Sequence, residues 1–191
     1  MRFGLTLLSL ALGLGLHGAA AQDVPNTREA RSLVFAERGA VEWEIIPHAS
    51  LSDVDIATLN QLNQIQPQPY YAAMAIAPSE GVTASTTSLA ANYHDEENAR
   101  EAALAACNSA RRGGPSCVVV LVIRPEGWQP GRALQLSSEA TAALRGEYRR
   151  LQRGARAMAT SASTGQWGIG LGRDEAIAAC GASDCRIVVE R

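Results

Sequence analysis

The strongest constraint on the fold is a short pattern that occurs twice: Ala-Ala-Cys, a second cysteine a few residues later, and then a run of β-branched residues. The first copy contains Cys107 and Cys117, and the second contains Cys180 and Cys185. All four cysteines of the chain belong to these two copies. The pattern predicts an alanine-rich helix followed by a strand, twice, with cysteines placed to join each helix to its strand.

The first residues of the chain have the features of a secretory signal peptide. Arg2 precedes an apolar run at 5–16, and three alanines at 19–21 fit the small-residue rule for cleavage before Gln22. The apolar run is shorter than the ~20 residues that span a bilayer. We therefore expect residues 1–21 to be removed, which leaves a periplasmic or secreted protein without a stable membrane anchor.

An oxidising compartment allows paired thiols to persist as disulfides. Four cysteines allow three pairings, and the spacing favours the local ones, Cys107 with Cys117 and Cys180 with Cys185, over bridges that cross between the copies. Neither pair is Cys-x-x-Cys and no histidine lies beside them, which disfavours both a metal site and a redox-active pair.

The similarity between the two copies extends upstream of the cysteines. Leu136 lies 85 positions after Leu51, and each residue is followed by a serine that can begin a helix. Met158 lies 84 positions after Met74, and each methionine is flanked by alanines in a strand that ends at a turn glycine. Two elements at nearly the same offset indicate an internal repeat.

The expected architecture is α+β. Two pseudo-repeated units of β-hairpin, helix and strand would form a mixed or antiparallel sheet with helices packed on it. The units are predicted at 41–116 and 117–191, after a signal peptide at 1–21 and an N-terminal helical segment at 22–40. The expected helices are 27–35, 51–64, 136–153 and those begun by Asp95 and Asp174; the expected strands are 41–46, 82–89, 118–123, 166–171 and 186–189, besides the two alanine-methionine strands. Ala99, Ala103 and Ala106 are expected to form the buried stripe of the third helix.

Composition excludes several classes of function. The formal net charge is −2, and removal of Arg2 makes it one unit more negative, which argues against a dedicated nucleic-acid or anionic-membrane binder. The chain contains no lysine. It therefore cannot form the lysine Schiff base of pyridoxal-phosphate enzymes, and no cofactor is expected.

The glycine-turned hairpin, the helix ending in Ala-Ala-Cys and the Cys-x-Val-Val strand resemble a family of small secreted bacterial domains of unknown function. The resemblance covers 70–124 and 155–190; Trp167-Gly168 fits the family pattern, whereas the first copy departs from it at 82–85. The whole chain is also similar to short exported alphaproteobacterial proteins that sometimes carry the label 5-aminolevulinate synthase. That enzyme family needs a lysine and a far larger fold, so we interpret the label as a naming artefact.

Candidate catalytic residues are few. His48 or His94 could act as a general base with a serine, but no Gly-x-Ser-x-Gly motif accompanies either residue. Asp95, Glu96 and Glu97 crowd a helix N-terminus, where the helix dipole favours negative charge, and a structural role is therefore expected for them.

Two features could bind a partner. Arg145, Arg149, Arg153 and Arg156 recur at roughly helical spacing and could hold an anionic envelope polymer or an acidic protein, although a solvated face is the alternative. The tryptophans and tyrosines could form a sugar-stacking surface, although most are expected in the core. The sequence thus favours a non-enzymatic envelope module whose partner is an unknown protein or glycan, with a small envelope hydrolase as the alternative.

Overall fold

The computed structural model describes residues 24–65, 69–152 and 154–191, so the predicted signal peptide lies outside the described residues. The helices of this part are α1 (Thr27–Leu33), α2 (Asp53–Ile65), α3 (Glu96–Ala110), α4 (Ser138–Arg145), α5 (Glu147–Arg150) and α6 (Arg173–Cys180). The strands are β1 (Val41–Ile45), β2 (Ala72–Ile76), β3 (Ser88–Ala90), β4 (Val118–Pro125), β5 (Ala157–Thr160), β6 (Trp167–Gly170) and β7 (Arg186–Glu190). Over the described ranges, no helix is long and apolar enough to cross a membrane.

The strands form two antiparallel sheets. The first has the order β1-β4-β2-β3, and the second has the order β6-β5-β7. The α+β class is therefore confirmed, but the strands are divided between two sheets, whereas residues 186–190 were expected to close a single one. Strand β1 lies at an edge of the first sheet, and its residues alternate between apolar and acidic, a pattern typical of a strand with one side facing solvent.

The two sheets share one irregularity. In the first, the pairing of β2 with β4 shifts register between Met74 and Ala75; in the second, the pairing of β5 with β7 shifts between Met158 and Ala159. A bulge at the same alanine-methionine position supports the internal repeat, which stays a prediction. The predicted boundary after 116 also stays a prediction, but β4 pairs with β1 and β2 and thus lies in the first sheet.

Each sheet carries an alanine-rich helix packed on its β-hairpin. Asp95 caps α3 by accepting a hydrogen bond from the backbone N–H of Asn98 at 2.8 Å. The buried positions of α3 are Ala99, Ala103 and Cys107, whereas Ala106 is exposed. The expected stripe was therefore wrong at its last position, where the i+4 step from 103 buries the cysteine instead.

Both local disulfides are confirmed. Cys107 is bonded to Cys117 across 10 residues, and Cys180 is bonded to Cys185 across 5 residues. Each bridge joins the last part of its helix to the approach of the next strand. The cysteines are therefore structural crosslinks between a helix and a sheet.

The expected strand at 82–89 is wrong over most of its length, because only Ser88–Ala90 forms a strand. Hydroxyl groups in the preceding turns make local hydrogen bonds instead. Thr86 Oγ1 donates to Glu80 Oε2 at 2.8 Å, and Thr87 Oγ1 donates to the carbonyl of Gly81 at 3.3 Å. Such bonds offer the backbone an alternative to strand pairing.

The expected helix at 136–153 is two short helices. Ser137 caps the first, as predicted, with its hydroxyl accepting from the Ala140 N–H at 3.1 Å. Gly146 then ends α4 at φ −103° and ψ −87°, outside the helical region. Glycine gains more backbone freedom outside a helix than any other residue, which favours a break at this position.

Candidate functional site

The four arginines predicted to form one basic helix face are not on one helix. Arg145 ends α4, Arg149 lies in α5, and Arg156 lies just before β5, while Arg153 lies outside the described residues. Arg149 is exposed. The structure instead brings Arg145 and Arg156 to α1, where each of them lines a cavity.

Arg156 is the most deeply placed cation of the site. Arg156 is only 8% exposed, and no carboxylate of the described residues forms an ion pair with it. Nη1 donates to the carbonyls of Tyr148 at 3.1 Å and Arg149 at 3.4 Å, and the guanidinium lies 5.1 Å from the Tyr148 ring centroid. The buried Nε has no hydrogen-bond partner among the described residues.

These contacts explain why a buried charge is tolerated without an acid. The carbonyls of Tyr148 and Arg149 belong to the short helix α5, and a cation is favoured near the C-terminal carbonyls of a helix. The tyrosine ring adds a cation–π contact. Neither contact cancels the unit charge, so Arg156 leaves positive potential in the cavity that it lines.

Arg145 lines a second cavity, which lies beside residues 27–32 of α1. Its Nε lies 3.4 Å from Glu37 Oε2, and its Nη2 donates to the carbonyl of Phe35 at 3.4 Å. The Arg145 charge is therefore partly compensated. Arg28 and Arg31 line the same cavity, and neither forms an ion pair with an acid of the described residues.

The two cavities measure ≈ 560 Å³ and ≈ 390 Å³ and have Thr27 and Arg28 in common; we call the pair the arginine groove. The groove is lined by Asn26, Thr27, Arg28, Glu29, Arg31, Ser32, Arg145, Arg156 and Arg191. Five of these residues are basic and one is acidic, although the whole chain has a net charge of −2. The groove is therefore a local positive site on an acidic protein.

Helix α1 positions one wall of the arginine groove. Asn26 Oδ1 accepts from the backbone N–H groups of Arg28 at 2.9 Å and Glu29 at 3.2 Å, and Glu29 Oε2 accepts from the Asn26 N–H at 3.0 Å. This capping box fixes the helix start and occupies the one carboxylate of the groove. Arg28 and Arg31 are three residues apart and so lie on one side of the helix.

Sequence reasoning missed Arg28, Arg31 and Arg191. The capping box Asn26-x-x-Glu29 was a readable signal for the helix, and the spacing of Arg28 and Arg31 was a readable signal for a basic face. Nothing local in the sequence indicates that Arg191 and Arg156 meet them. Their proximity depends on strand pairing, because the Arg191 N–H donates to the Arg156 carbonyl at 3.0 Å beside the β5–β7 ladder.

His94 is a structural residue in this fold. It is 5% exposed, its Nδ1 accepts from the backbone N–H of Ser137 at 3.2 Å, and its Nε2 lies 3.1 Å from the carbonyl of Gln166. These partners require the neutral ring with the proton on Nε2. Burial lowers the pKa of His94, with the Gln166 bond and the charge of Asp95 opposing that effect. Both ring nitrogens are therefore occupied by backbone groups, and no serine hydroxyl contacts them in the described part of the chain.

His48 does contact a serine, but in a local turn. Its Nδ1 lies 2.8 Å from Ser50 Oγ and 3.2 Å from the Ser50 N–H, and the contact is exposed. A carboxylate that would orient the ring is not among the hydrogen-bond partners of His48 within the described residues. The nucleophile, base and acid that a hydrolase requires are thus not assembled at either histidine.

Two of the three acids at the start of α3, Asp95 and Glu96, have structural partners, as predicted for a helix N-terminus. Asp95 is the N-cap, and Glu96 pairs with Arg100 at 2.6 Å and with Arg124 at 3.1 Å. The residues that the structure describes contain no group of three or more histidine, cysteine or acidic side chains placed to hold a metal ion.

A further cleft of ≈ 440 Å³ lies where His94 and Asp95 approach Arg132 and Arg186. Arg132 donates to the carbonyl of Leu33 and lies 4.1 Å from the centroid of the Phe35 ring, as Arg156 does with its own carbonyl and ring, but Asp95 lines the same cleft and offsets part of its charge. The aromatic surface expected as an alternative binding site is not assembled in the described part of the chain. Trp167, Trp43 and Tyr93 pack against three different core clusters. Tyr70 and Tyr71 are buried beside each other, and Trp128 is half-buried with its Nε1 donating to Gln135.

Comparison with known proteins adds no family to this description: no family model, curated protein or solved structure matches the chain. The two resemblances drawn from the sequence therefore stay predictions.

Proposed function

We propose that the protein is a non-enzymatic module of the bacterial envelope, periplasmic or secreted, that binds an anionic group of a partner protein or glycan in the arginine groove. The observation that carries the proposal is Arg156, a buried guanidinium that lines the groove without an acidic partner among the described residues.

Burying an unpaired charge costs free energy that a purely structural cap could avoid with a neutral donor. A guanidinium also offers five N–H donors in a planar fork that matches carboxylate and phosphate oxygens. The Tyr148 and Arg149 carbonyls already hold Nη1 of Arg156 in place. Less side-chain entropy is therefore lost when an anion binds the guanidinium from the groove.

The residues that line the arginine groove suit a binding site better than a catalytic one. It is open and basic, and neither histidine lines it. A binding module needs only a patch with the right charge and donors, whereas an enzyme needs a converging acid, base and nucleophile.

The test compares retention of the mature protein on dextran sulfate with retention on uncharged dextran. We expect salt-sensitive retention on the sulfated matrix only, weakened by Arg28→Gln. Arg112→Gln is the matched control, because Arg112 is exposed and does not line the groove. Equal retention on both matrices, or equal weakening by the two variants, would refute the proposal.

A further inference from the structure

The arginine groove has two compartments, and this division bears on what it binds. Arg156 and Arg191 line the larger cavity, Arg31 and Arg145 line the smaller one, and Arg28 lines both. A single carboxylate or phosphate group lies in one compartment and leaves uncompensated guanidinium groups in the other, either Arg31 in the smaller cavity or Arg156 and Arg191 in the larger one. A ligand that satisfies the whole groove therefore carries at least two anionic groups.

The lining contains no apolar or aromatic side chain. Apart from the five arginines and Glu29, it consists of Asn26, Thr27 and Ser32. A protein partner normally anchors itself by aromatic or aliphatic side chains in desolvated pockets. The apolar surface of the groove belongs to carbon atoms of polar and charged residues, because no aromatic or aliphatic residue lines it. Amide and hydroxyl groups beside guanidinium groups instead suit a hydrated chain of hydroxyls and acids. An anionic carbohydrate fits this chemistry better than an acidic peptide.

Resting on the proposed function, we infer that the ligand is a stretch of an acidic glycan, in which one carboxylate or phosphate lies in the Arg156 compartment and a second lies in the Arg31 compartment. Arg28 bridges the two anionic groups. The linkage between the groups makes the second contact intramolecular, so the affinity exceeds that of one acidic sugar.

The experiment titrates the mature protein with galacturonate, tetragalacturonate, maltotetraose and tetraglutamate by isothermal calorimetry at low salt. We expect tetragalacturonate to bind at least ~10-fold more tightly than galacturonate, because linked groups raise avidity, and maltotetraose not to bind. Arg31→Gln should remove most of the advantage of the tetramer, and Arg28→Gln should weaken both acidic sugars. Arg112→Gln should change neither. Arg28, Arg31 and Arg112 are exposed, so these variants are expected to fold.

Other outcomes would contradict the inference or the proposed function. Equal affinity for galacturonate and tetragalacturonate, with both lost in Arg28→Gln, would overturn the two-compartment inference and keep a single anion site. Tighter binding of tetraglutamate than of tetragalacturonate would overturn the glycan assignment. If none of the acidic probes binds while dextran sulfate still retains the protein, the inference fails and the proposed function stands. If dextran sulfate does not retain the protein either, both fail.

Discussion

Replacing Gly168 by alanine tests how closely helix α6 approaches its sheet. A Cβ atom at this position would lie 2.2 Å from the backbone N of Cys180 and 2.5 Å from the backbone O of Ala176. Both obstacles are backbone atoms of α6, which a side-chain rotation cannot remove. Since non-bonded heavy atoms prefer separations of about 3.5 Å or more, the helix would have to move by about 1 Å.

That displacement would open the small-residue contact between α6 and β5. Ala157, Ala159, Ala176 and Cys180 form this cluster, and all are buried. Overpacking of a well-packed site lowers the free energy of unfolding by about 1–3 kcal/mol and occasionally more. Because packing is also lost along the helix, we expect Gly168→Ala to lower it by ~3 kcal/mol. A chain of this size loses about 2–4 °C in melting temperature per kcal/mol, which predicts a decrease of ~6–12 °C.

Thermal unfolding followed by circular dichroism measures this decrease. Gly154→Ala is the matched control, because no heavy atom lies within 4 Å of its added Cβ, and it should change stability by less than ~0.5 kcal/mol. Ser88 is the equivalent of Gly168 in the first sheet, because Ser88 pairs with Ala75 of β2 as Gly168 pairs with Ala159 of β5. Ser88 already has a Cβ atom, so Ser88→Ala adds none and is a second control. If Gly168→Ala melts with the parent, the close approach of α6 described above is wrong.

Three further predictions concern crosslinks and pH. Cys107→Ala should cost ~2.7 kcal/mol and Cys180→Ala ~2.1 kcal/mol in denaturant unfolding, because the loop closed by the first bridge is longer; an equal or reversed order would contradict the loop-entropy explanation. Burial lowers the pKa of His94 in the fold, so the unfolded chain binds the proton more readily. The free energy of unfolding, measured from pH 7.5 to 5.5, should therefore be highest above about pH 6.5 and decrease below it. The absence of this decrease would contradict a neutral buried ring. Asp184 accepts from Ser161 Oγ at 2.6 Å, and this bond lowers its pKa from 3.8 to about 2; stability should therefore fall between about pH 4 and 2 in the parent, and a fall of the same size in Asp184→Asn would refute that assignment.

The features that the sequence predicted correctly are those set by neighbouring residues. The local disulfides depend on spacings of 10 and 5 residues, and the start of α3 depends on Asp95 and a hydrogen bond three residues away. Strands β2 and β5 contain alanine and methionine and lie where the repeat predicts them. Short-range chemistry decides these elements, so it can be read without the fold.

The errors have physical reasons that a pattern of apolar residues does not contain. The strand expected at 82–89 gives way to turns because Thr86 and Thr87 bond to nearby acceptors. The basic helix face is divided because Gly146 ends α4. The groove itself combines α1 with Arg145, Arg156 and Arg191, which only the packing of α1 and the pairing of β5 with β7 bring together.

The difference between the two sheets has a consequence for self-association. Strands β4 and β7 each follow a disulfide. In the first sheet, β1 pairs with the edge of β4 that faces away from β2. The corresponding edge of β7, which faces away from β5, meets Pro25, whose carbonyl accepts from the Glu190 N–H at 3.3 Å. An uncovered strand edge is a template for strands of other molecules, and a proline ends such a ladder because it has no N–H to donate. The segment that carries α1 therefore also shields β7 from other chains. Removal of residues 22–33 should consequently produce aggregates detectable by light scattering, and a truncated chain that stays dispersed would show that β7 needs no such cover.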